Sequence, residues 1–589
     1  MSSPFWFVLL ALIIYFIAYR VYGKWYDRTV WKPDPNRTTP AHMYTDGVEY
    51  FPVSKYVLWG YQFKSVAALG PVLGPFIAIQ FGWLPALIWI VVGNFFIGWL
   101  QDYGAIMVSV RNQGRSFGPI SYEFTGAGGR NTLLGFILIY LLIVSAAFIF
   151  LIALFWKIFP GTPVATLGIF ITGVLAGQLL YRAKMHIGLV TLISLVLLVL
   201  SIVAGNYLQI PASFTTALGV WAIPFWALVC CVVLYLGSIL PLPTFIQPIN
   251  YVAFFPTFLA VILILLGALL SPLTGISIHQ PAVVGWYAKG LGPIWPILFV
   301  AIACGAISGW HSLVSSSSTS KQLDVETDAH PIGAGSMLSE GLLALASLAA
   351  YVVVVQASSL GNIGSWVLGA VSLTSPFLGG AAAKSFLGVF FGVSLILFAI
   401  TVQTLVTRFW RLVSAEVVGE GAFRIMGQKH VATSVGLLIP FAFAITGSWW
   451  NLWLYFGGSN QLMAALALWL ISIHLLRTRA PSVYTMIPAV FMTITTLTAI
   501  GFEAYYFLSA VILGKPLVST TPGTPLSGKL GPGATQVALV FNGIFFVVGI
   551  ALFILGLRMA WLVVQSYLRS RPAAPEAPAA APASGAGGS

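Results

Sequence analysis

Long apolar runs recur along almost the whole chain, and they restrict the fold more than any other feature of the sequence. A helix needs about 20 mostly apolar residues to cross the hydrocarbon core of a bilayer. Only 7% of the residues are charged, whereas a soluble domain carries about 25% because its surface contacts water. Lipid must therefore cover most of this surface. The sequence predicts an all-α polytopic membrane protein.

The apolar runs give fifteen predicted spans. They are continuous and mostly far longer than barrel strands, which argues against a transmembrane β-barrel. No basic residue precedes the first run, so we expect a retained helix rather than a cleaved signal peptide. The predicted spans are 4–23, 60–80, 83–110, 131–158, 163–181, 186–206, 218–240, 250–271, 293–315, 333–357, 386–411, 432–448, 452–475, 482–508 and 536–566.

The positive charges indicate the orientation. Lys and Arg accumulate on the cytoplasmic side of membrane proteins. With the N-terminus outside and fifteen crossings, all fifteen arginines fall on or near the inner side. We therefore expect a cytoplasmic C-terminus. The lysines left on the outer side are Lys157, Lys289, Lys384, Lys515 and Lys529.

The second span is interrupted by Gly70-Pro71-Val72-Leu73-Gly74-Pro75. Two prolines and two glycines within six residues remove backbone donors and helix propensity together. An unsatisfied peptide group is costly in lipid, so this stretch must be buried in protein or line a cavity. Carriers with inverted repeats bind solutes at such breaks near the midplane. The alternative is a simple kink repaired by neighbouring helices.

A second, oppositely oriented break has two candidates. Counting five spans onward leads to 218–240, which is followed by the Gly/Pro-rich stretch 237–243. Composition offers a rival in 293–315, which contains Gly305-Ala306-Ile307-Ser308-Gly309-Trp310-His311 and leads into the hydroxyl run 315–320. The sequence does not decide between them.

Polar side chains inside apolar spans indicate a solute or ion pathway. Asp102 could bind a coupling cation or proton, or could pair with Arg111 or Arg115 at the inner end of its helix. His311 titrates near physiological pH and could carry a proton, or could be a hydrogen-bonded core residue. Thr404 is a further candidate for the coupling site.

The candidate solute contacts combine the breaks with nearby polar groups. Gln403 and Thr404 begin a polar stripe at helical spacing, and for this stripe, as for Asn460, tight helix packing is an equally good explanation. The predicted solute-binding residues are Gly70, Pro71, Gly74, Ser308, Gly309, His311, Ser315, Gln403 and Asn460.

Other polar groups receive structural or open interpretations. Lys64, six residues before the break, could attract an anionic solute or anchor the inner membrane face. Glu340 and Glu123 are expected to be structural groups at the inner surface. The three cysteines lie in apolar runs without a metal-binding spacing. No zinc constellation, nucleotide loop or catalytic triad is visible, so we expect no cofactor, no metal and no nucleic-acid partner.

Four groups of motifs are spread across most of 60–475: 81–87 with 101–103, 111–118, 305–316 with 321–323, and 456–466. Together they resemble the carbon starvation protein A (CstA) family of carriers, which implies an inner-membrane location. Two stretches differ from the family pattern: Gln247-Pro248-Ile249-Asn250-Tyr251 lacks the expected Arg-Asp pair, and Thr404 stands where an Asp often precedes Thr407-Arg408.

The resemblance implies a LeuT-like inverted-repeat transporter core with additional flanking helices. It also implies uptake of peptides or pyruvate and a role in the response to carbon starvation. The corresponding division is an extra N-terminal span at 1–23, a cytoplasmic amphipathic loop at 24–58, the core at 59–475, accessory helices at 476–571 and a disordered Ala/Pro tail at 572–589.

We therefore expect a secondary active transporter that imports small carboxylate solutes with a coupling proton or sodium ion. A membrane-embedded enzyme and a passive channel are the alternatives. The enzyme is disfavoured because no acid/base pair accompanies His311 and the serine run, and a channel would conduct without saturation.

Overall fold

The computed structural model describes residues 3–47, 49–355, 363–418, 421–447, 449–517 and 532–570. The predicted disordered tail at 572–589 and the predicted outer residue Lys529 lie outside these ranges. The described part is almost entirely helical, with a single short antiparallel hairpin formed by β1 (Tyr287–Ala288) and β2 (Gly292–Pro293).

The described α-helical segments number 22. The first eleven are α1 (Phe5–Ile17), α2 (Lys24–Tyr26), α3 (Pro40–Met43), α4 (Lys55–Val66), α5 (Gly70–Ala78), α6 (Trp83–Gly93), α7 (Trp99–Arg111), α8 (Phe117–Ile158), α9 (Thr162–Gly177), α10 (Ile187–Tyr207) and α11 (Ala212–Leu218). The others are α12 (Ala222–Ile239), α13 (Ile246–Thr274), α14 (Ile294–Ala301), α15 (Gly309–Ser317), α16 (Ala329–Val352), α17 (Ser365–Thr374), α18 (Gly380–Val418), α19 (Lys429–Ala444), α20 (Trp449–Arg477), α21 (Val483–Ile512) and α22 (Pro532–Arg569).

Twelve described helices are long and apolar enough to cross a membrane, or up to thirteen if a bent pair counts as one span. Each corresponds to one predicted span. The three remaining predicted spans are the bent pair at 60–80, a helix broken into α14 and α15 at 293–315, and the 16-residue α19 at 432–448. The structure confirms an all-α polytopic membrane protein, but not the count of fifteen. The inverted repeat stays a prediction.

The helices divide into a buried centre and an outer layer. The apolar windows of α16 and α20 are 83% and 94% buried, whereas those of α10 and α22 are only 22% and 28% buried. A helix that is apolar on all sides can be stable in the protein core or against lipid. The outer helices therefore provide the lipid-facing surface, and the buried ones position the polar groups of the centre.

The N-terminal helix is longer than predicted. It continues through α-helical and π-helical turns to Trp31 rather than ending at residue 23. The following loop packs against the core, where Arg111 Nε lies 2.8 Å from Glu326 Oε1 and the Asp34 amide donates to Glu326 Oε2 at 2.7 Å. Much of the predicted amphipathic loop at 24–58 is thus either helix or tied to the ends of α7 and α16.

Candidate functional site

Two helix breaks lie against each other in the buried centre. A Cβ added at Gly70 would lie 2.4 Å from Cys304 Cβ, and one at Gly74 would lie 2.7 Å from Ile302 Cα. A Cβ at Gly305 would in turn approach Pro71 Cα to 3.4 Å. Side chains larger than glycine do not fit here, because the two backbones are in direct contact. The predicted residues Gly70, Pro71 and Gly74 therefore do lie at a junction of two broken helices.

The second break is in the 293–315 segment. Helix α14 ends at Ala301 and α15 begins at Gly309, with irregular backbone between them. The rival segment is a continuous helix, α12, from Ala222 to Ile239. Its Gly/Pro-rich end terminates that helix and does not interrupt it. Of the two candidate segments, 293–315 is therefore the one whose helix is interrupted.

Side chains from other helices satisfy the carbonyls of the second break. Irregular backbone survives at membrane depth only where such partners exist. Asn460 and Gln461, neighbours on α20, supply most of them, and Asn94 supplies one from the opposite side. The bonds are Asn460 Nδ2 to Ala303 O (3.2 Å), Gln461 Nε2 to Phe299 O (2.9 Å) and Ile302 O (3.0 Å), Trp453 Nε1 to Ala301 O (3.2 Å) and Asn94 Nδ2 to Gly305 O (3.1 Å).

Asn460 also caps the start of α15. Its Oδ1 accepts hydrogen bonds from the Trp310 amide at 3.1 Å, from Ser308 Oγ at 3.3 Å and from Tyr140 OH at 2.9 Å. The first amides of a helix lack partners within the helix, and this carboxamide supplies one. Gly309 makes the contact possible, since its Cβ would lie 2.3 Å from Asn460 O. The predicted residues Ser308, Gly309 and Asn460 therefore form one unit.

The first break, at residues 67–69, separates α4 from α5, whose axes differ by 46°. The predicted position, 70–75, is too late in the chain, because that stretch forms the start of α5. Pro71 lies in the first turn of α5, where its missing amide costs nothing, whereas in a continuous helix it would leave Ala67 O without its donor. The Trp310 indole Nε1 donates to Ser65 O at 2.9 Å, which satisfies a carbonyl at the end of α4. The two breaks are thus linked by a hydrogen bond as well as by packing.

Next to this junction, His311 lies between two carboxylates. Its Nδ1 lies 2.9 Å from Asp102 Oδ2 on α7, and its Nε2 lies 2.7 Å from Glu340 Oε2 on α16. All three side chains are fully buried. The first contact is a hydrogen bond, whereas the second is close but not aligned as one, and no described group donates to either oxygen of Glu340. We call Asp102, His311 and Glu340 the acidic-histidine cluster.

The geometry of the cluster corrects the sequence interpretation of Glu340 and decides between the two interpretations of Asp102. Glu340 is not an inner-surface group, because it is fully buried against His311. Asp102 does not pair with Arg111, which binds Glu326 instead. The missed signal for Glu340 was its position inside a predicted span, where an ionisable side chain by default indicates function.

The cluster can hold protons. A buried carboxylate oxygen without a donor is costly unless it carries a proton or meets a cation. Cys304 Sγ, a ring nitrogen of His311 and a Glu340 oxygen also lie within 4.8 Å of one another, as metal ligands would. The thiol, however, accepts a hydrogen bond from Asn460 Nδ2 at 3.3 Å and the imidazole faces Glu340, so both groups already have partners within the protein.

Lys64 is a second buried charge at the junction. The side chain is 1% exposed, and its ammonium donates to Thr401 Oγ1 at 2.7 Å and to Leu397 O at 3.2 Å, both on α18. It does not anchor a membrane face, because it lies inside the protein.

Three predicted site residues lie in other environments. Ser315 is one turn after His311 on α15 and accepts from Gln62 Nε2 at 2.9 Å. Gln403 donates to Ser145 Oγ at 2.7 Å, which ties α18 to α8. Thr404 donates to Thr401 O of its own helix at 2.6 Å and would contact a Cβ at Gly237. In the described structure none of the three is hydrogen-bonded to the acidic-histidine cluster, and the packing interpretation fits Gln403 and Thr404.

Comparison with known families and curated proteins gives consistent results. The family described as carbon starvation protein CstA matches residues 3–363 and 356–499. The peptide transporter CstA of Campylobacter jejuni is 28% identical over 84% of this chain and 79% of its own length. The pyruvate/proton symporter BtsT of Escherichia coli is 33% identical over 59% of this chain and 49% of its own length. The chain thus spans about half the length of that relative.

Solved structures give only distant matches. The transporter MhsT in complex with L-phenylalanine aligns with 88% of this chain and 99% of its own, at 12% identity and a TM-score of 0.42. A manganese transporter of Eremococcus coleocola, solved in a mutant form, aligns with the same shares at 14% identity and a TM-score of 0.34.

Proposed function

Because this chain belongs to the carbon starvation protein CstA family, we propose that it imports small carboxylate solutes in symport with protons. Like its curated relatives, it is a membrane transporter and not an enzyme. Pyruvate and short peptides are the proposed solutes. The proposal includes the inner membrane, a cytoplasmic C-terminus and a role during carbon starvation.

One observation carries the proton coupling: a fully buried histidine between two carboxylates at the junction of two helix breaks. With the imidazole protonated and both carboxylates ionised, the cluster has a single net negative charge. One further proton makes it neutral. A neutral cluster is far less costly to enclose in a low-dielectric centre than a charged one. Proton binding would therefore favour the enclosed state that carries solute across.

The cluster can transmit this change because its members come from three helices. Asp102 is on α7, His311 on α15 and Glu340 on α16. Protonation of Glu340 would remove the attraction between its carboxylate and the imidazolium. The contact between α15 and α16 would then weaken, and α15 begins directly at the second break. Proton occupancy and the arrangement of the break are thereby linked through one side-chain contact.

The solute class rests on shared chemistry. The E. coli relative is named a pyruvate/proton symporter and others are named peptide transporters. Pyruvate and the C-terminus of a peptide both present a carboxylate. Freed backbone amides at broken helices suit such a solute because they can donate hydrogen bonds to its carboxylate near the midplane.

Reconstituted protein tests the proposal. Proteoliposomes with an imposed inward proton gradient should accumulate labelled pyruvate or dialanine, and a proton conductor should abolish the accumulation. Asp102→Asn and Glu340→Gln should lose gradient-driven accumulation but retain solute exchange without a gradient. Glu123→Gln is the matched control, since Glu123 is a half-exposed acid near Arg115 (3.9 Å).

The outcomes separate the alternatives. Accumulation that both cluster variants retain would disprove the assigned coupling site. Non-saturable flux without counterflow would indicate a channel. No uptake of either solute under proton or sodium gradients would disprove the proposed function.

A further inference from the structure

We infer that Lys64 provides the positive charge that binds the carboxylate of the transported solute. The inference rests on the proposed function and names the residue that selects the solute class.

The ammonium group of Lys64 is incompletely paired. A lysine ammonium has three donors and no acceptor. Two donors are used, by Thr401 Oγ1 at 2.7 Å and Leu397 O at 3.2 Å. The group also lies 5.5 Å from the centroid of the Phe398 ring. All of these partners are neutral groups on α18, so the charge is positioned by hydrogen bonds but not neutralised.

No described acid is available to neutralise it. Within the described ranges no carboxylate lies within 4.0 Å of Lys64 Nζ. Helix α4 packs against α13, α15, α16 and α18. Their described residues contain two acids, Glu340 and Glu416, which pair with His311 and Arg130 respectively. A fully buried charge without a partner is strongly destabilising, so a ligand carboxylate would relieve a cost already present in the fold.

The position of Lys64 suits a solute at the junction. It lies two residues before the end of α4, where the first break begins. The next residue, Ser65, accepts the hydrogen bond of Trp310, and Trp310 is adjacent to His311 in the chain. Lys64 and the acidic-histidine cluster therefore lie near one tryptophan that links the two breaks. A solute carboxylate at Lys64 would lie beside the first break without using a cluster residue.

The alternative is a purely structural lysine that joins α4 to α18. The two roles predict different ligand selectivity. A solute-binding ammonium discriminates a carboxylate from its uncharged amide, because only the carboxylate supplies the missing negative charge. A structural lysine affects both ligands equally through the fold.

Equilibrium binding to the full chain in lipid nanodiscs, at fixed pH and without a gradient, distinguishes them. The probes are pyruvate and pyruvamide, with dialanine and its C-terminal amide as a second pair. The wild type should bind one carboxylate about 100-fold more tightly than its amide, the loss expected when a buried charge pair lacks one partner. Lys64→Gln should lower carboxylate binding by about the same factor and leave amide binding within about threefold. Lys64→Arg should restore much of the preference.

The matched control is Lys321→Gln, since Lys321 pairs with Glu49 near the surface and should not affect selectivity. Equal wild-type affinity for carboxylate and amide overturns the inference even if no variant folds. It is also overturned if a folded Lys64→Gln keeps the wild-type preference. Proton-driven uptake in the wild type beside either result would leave the proposed function standing. Binding of neither pair by the wild type would overturn the inference together with the proposed solute class.

Discussion

The two helix breaks at the centre of this transporter are made in different ways. The first, at residues 67–69 between α4 and α5, follows from its own residues, because in a continuous helix Pro71 has no amide to donate to Ala67 O and Gly70 lowers the helix propensity. The second, between Ala301 and Gly309, contains no proline. Side chains of α20 hold it open by bonding to its carbonyls. One break is encoded locally and the other by residues about 150 positions away in the chain.

This difference has a physical consequence for how each break responds to change. A locally encoded break remains when neighbouring contacts are altered, because the backbone has no better conformation. A break held by tertiary hydrogen bonds is stable only while its partners are present, since each lost partner leaves a buried polar group unsatisfied. The second break is therefore the more sensitive to substitution, and it is also the one that leads into α15, which carries His311 of the acidic-histidine cluster.

Removing Asn460, whose side chain bonds the second break, should cause the largest loss of stability. Asn460→Ala deletes the acceptor for the Trp310 amide and the donor to Ala303 O, and leaves both buried without a replacement. We expect a loss of about 3–5 kcal/mol, from at least two orphaned groups at about 1–3 kcal/mol each. Thermal unfolding in detergent measures it. Ser459→Ala is the control on the same helix, because that hydroxyl bonds only carbonyls of α20. Equal losses of stability in the two variants would contradict the conclusion that hydrogen bonds from α20 hold the second break open.

The sequence predicted a break in the second span, although at 70–75 instead of 67–69, and could not predict how the second break is held. Glycine and proline act on their own backbone, so a local pattern reveals them. The role of Asn460 depends on which helix packs against 302–308, and no local pattern contains that information. For the same reason the sequence left 218–240 and 293–315 open, since both contain glycines and only tertiary contacts show which is interrupted.

The acidic-histidine cluster illustrates the same limit. Asp102 and His311 were identified because ionisable groups inside apolar spans are costly. Their contact was not predicted, because the two residues are 209 positions apart. Glu340 was assigned to the surface because it lies near the start of its predicted span. In the structure Glu340 lies in the middle of α16, which packs against α4, α5 and α7, and this burial could not be deduced from composition.

Disturbing the packing between the two breaks should cause the next largest loss of stability. Gly74→Ala adds a Cβ that would lie 2.7 Å from Ile302 Cα and 2.9 Å from Ala301 O. Backbone atoms cannot rotate away as a side chain can, so we expect a loss of about 2–3 kcal/mol. The control is Gly135→Ala, since a Cβ there meets nothing within 4 Å and alanine favours the helix. An unchanged unfolding midpoint for Gly74→Ala would show that the two breaks do not need direct contact.

Removing one proline should have a smaller effect on stability. Pro71→Ala allows α4 to extend toward α5, but Trp310 still bonds Ser65 O and Gly70 still packs on Cys304. The change in unfolding free energy should be about 1 kcal/mol or less, in the range of proline effects without loss of contacts. Hydrogen exchange should show protection at the new amide of residue 71, which can donate to Ala67 O, and increased protection at residues 68–70, whereas the Ala67 amide already donates to Phe63 O at 2.8 Å. A larger loss than for Asn460→Ala would reverse the proposed contrast between the breaks.

Removing the thiol between the breaks should have the smallest effect of the series. In Cys304→Ala, the Asn460 amide loses one acceptor but keeps Ala303 O at 3.2 Å and Ser308 Oγ at 3.1 Å. No polar group is therefore orphaned, and the cavity left by one sulfur atom costs about 1 kcal/mol or less. The Cβ that meets Gly70 is unchanged, so the packing of the breaks should persist.

Proton-driven uptake by Cys304→Ala should equal that of the wild type, with and without a chelator. A large loss of uptake would show that the thiol acts with His311 and Glu340 as a ligand, and the interpretation of the cluster as a proton site would then be wrong.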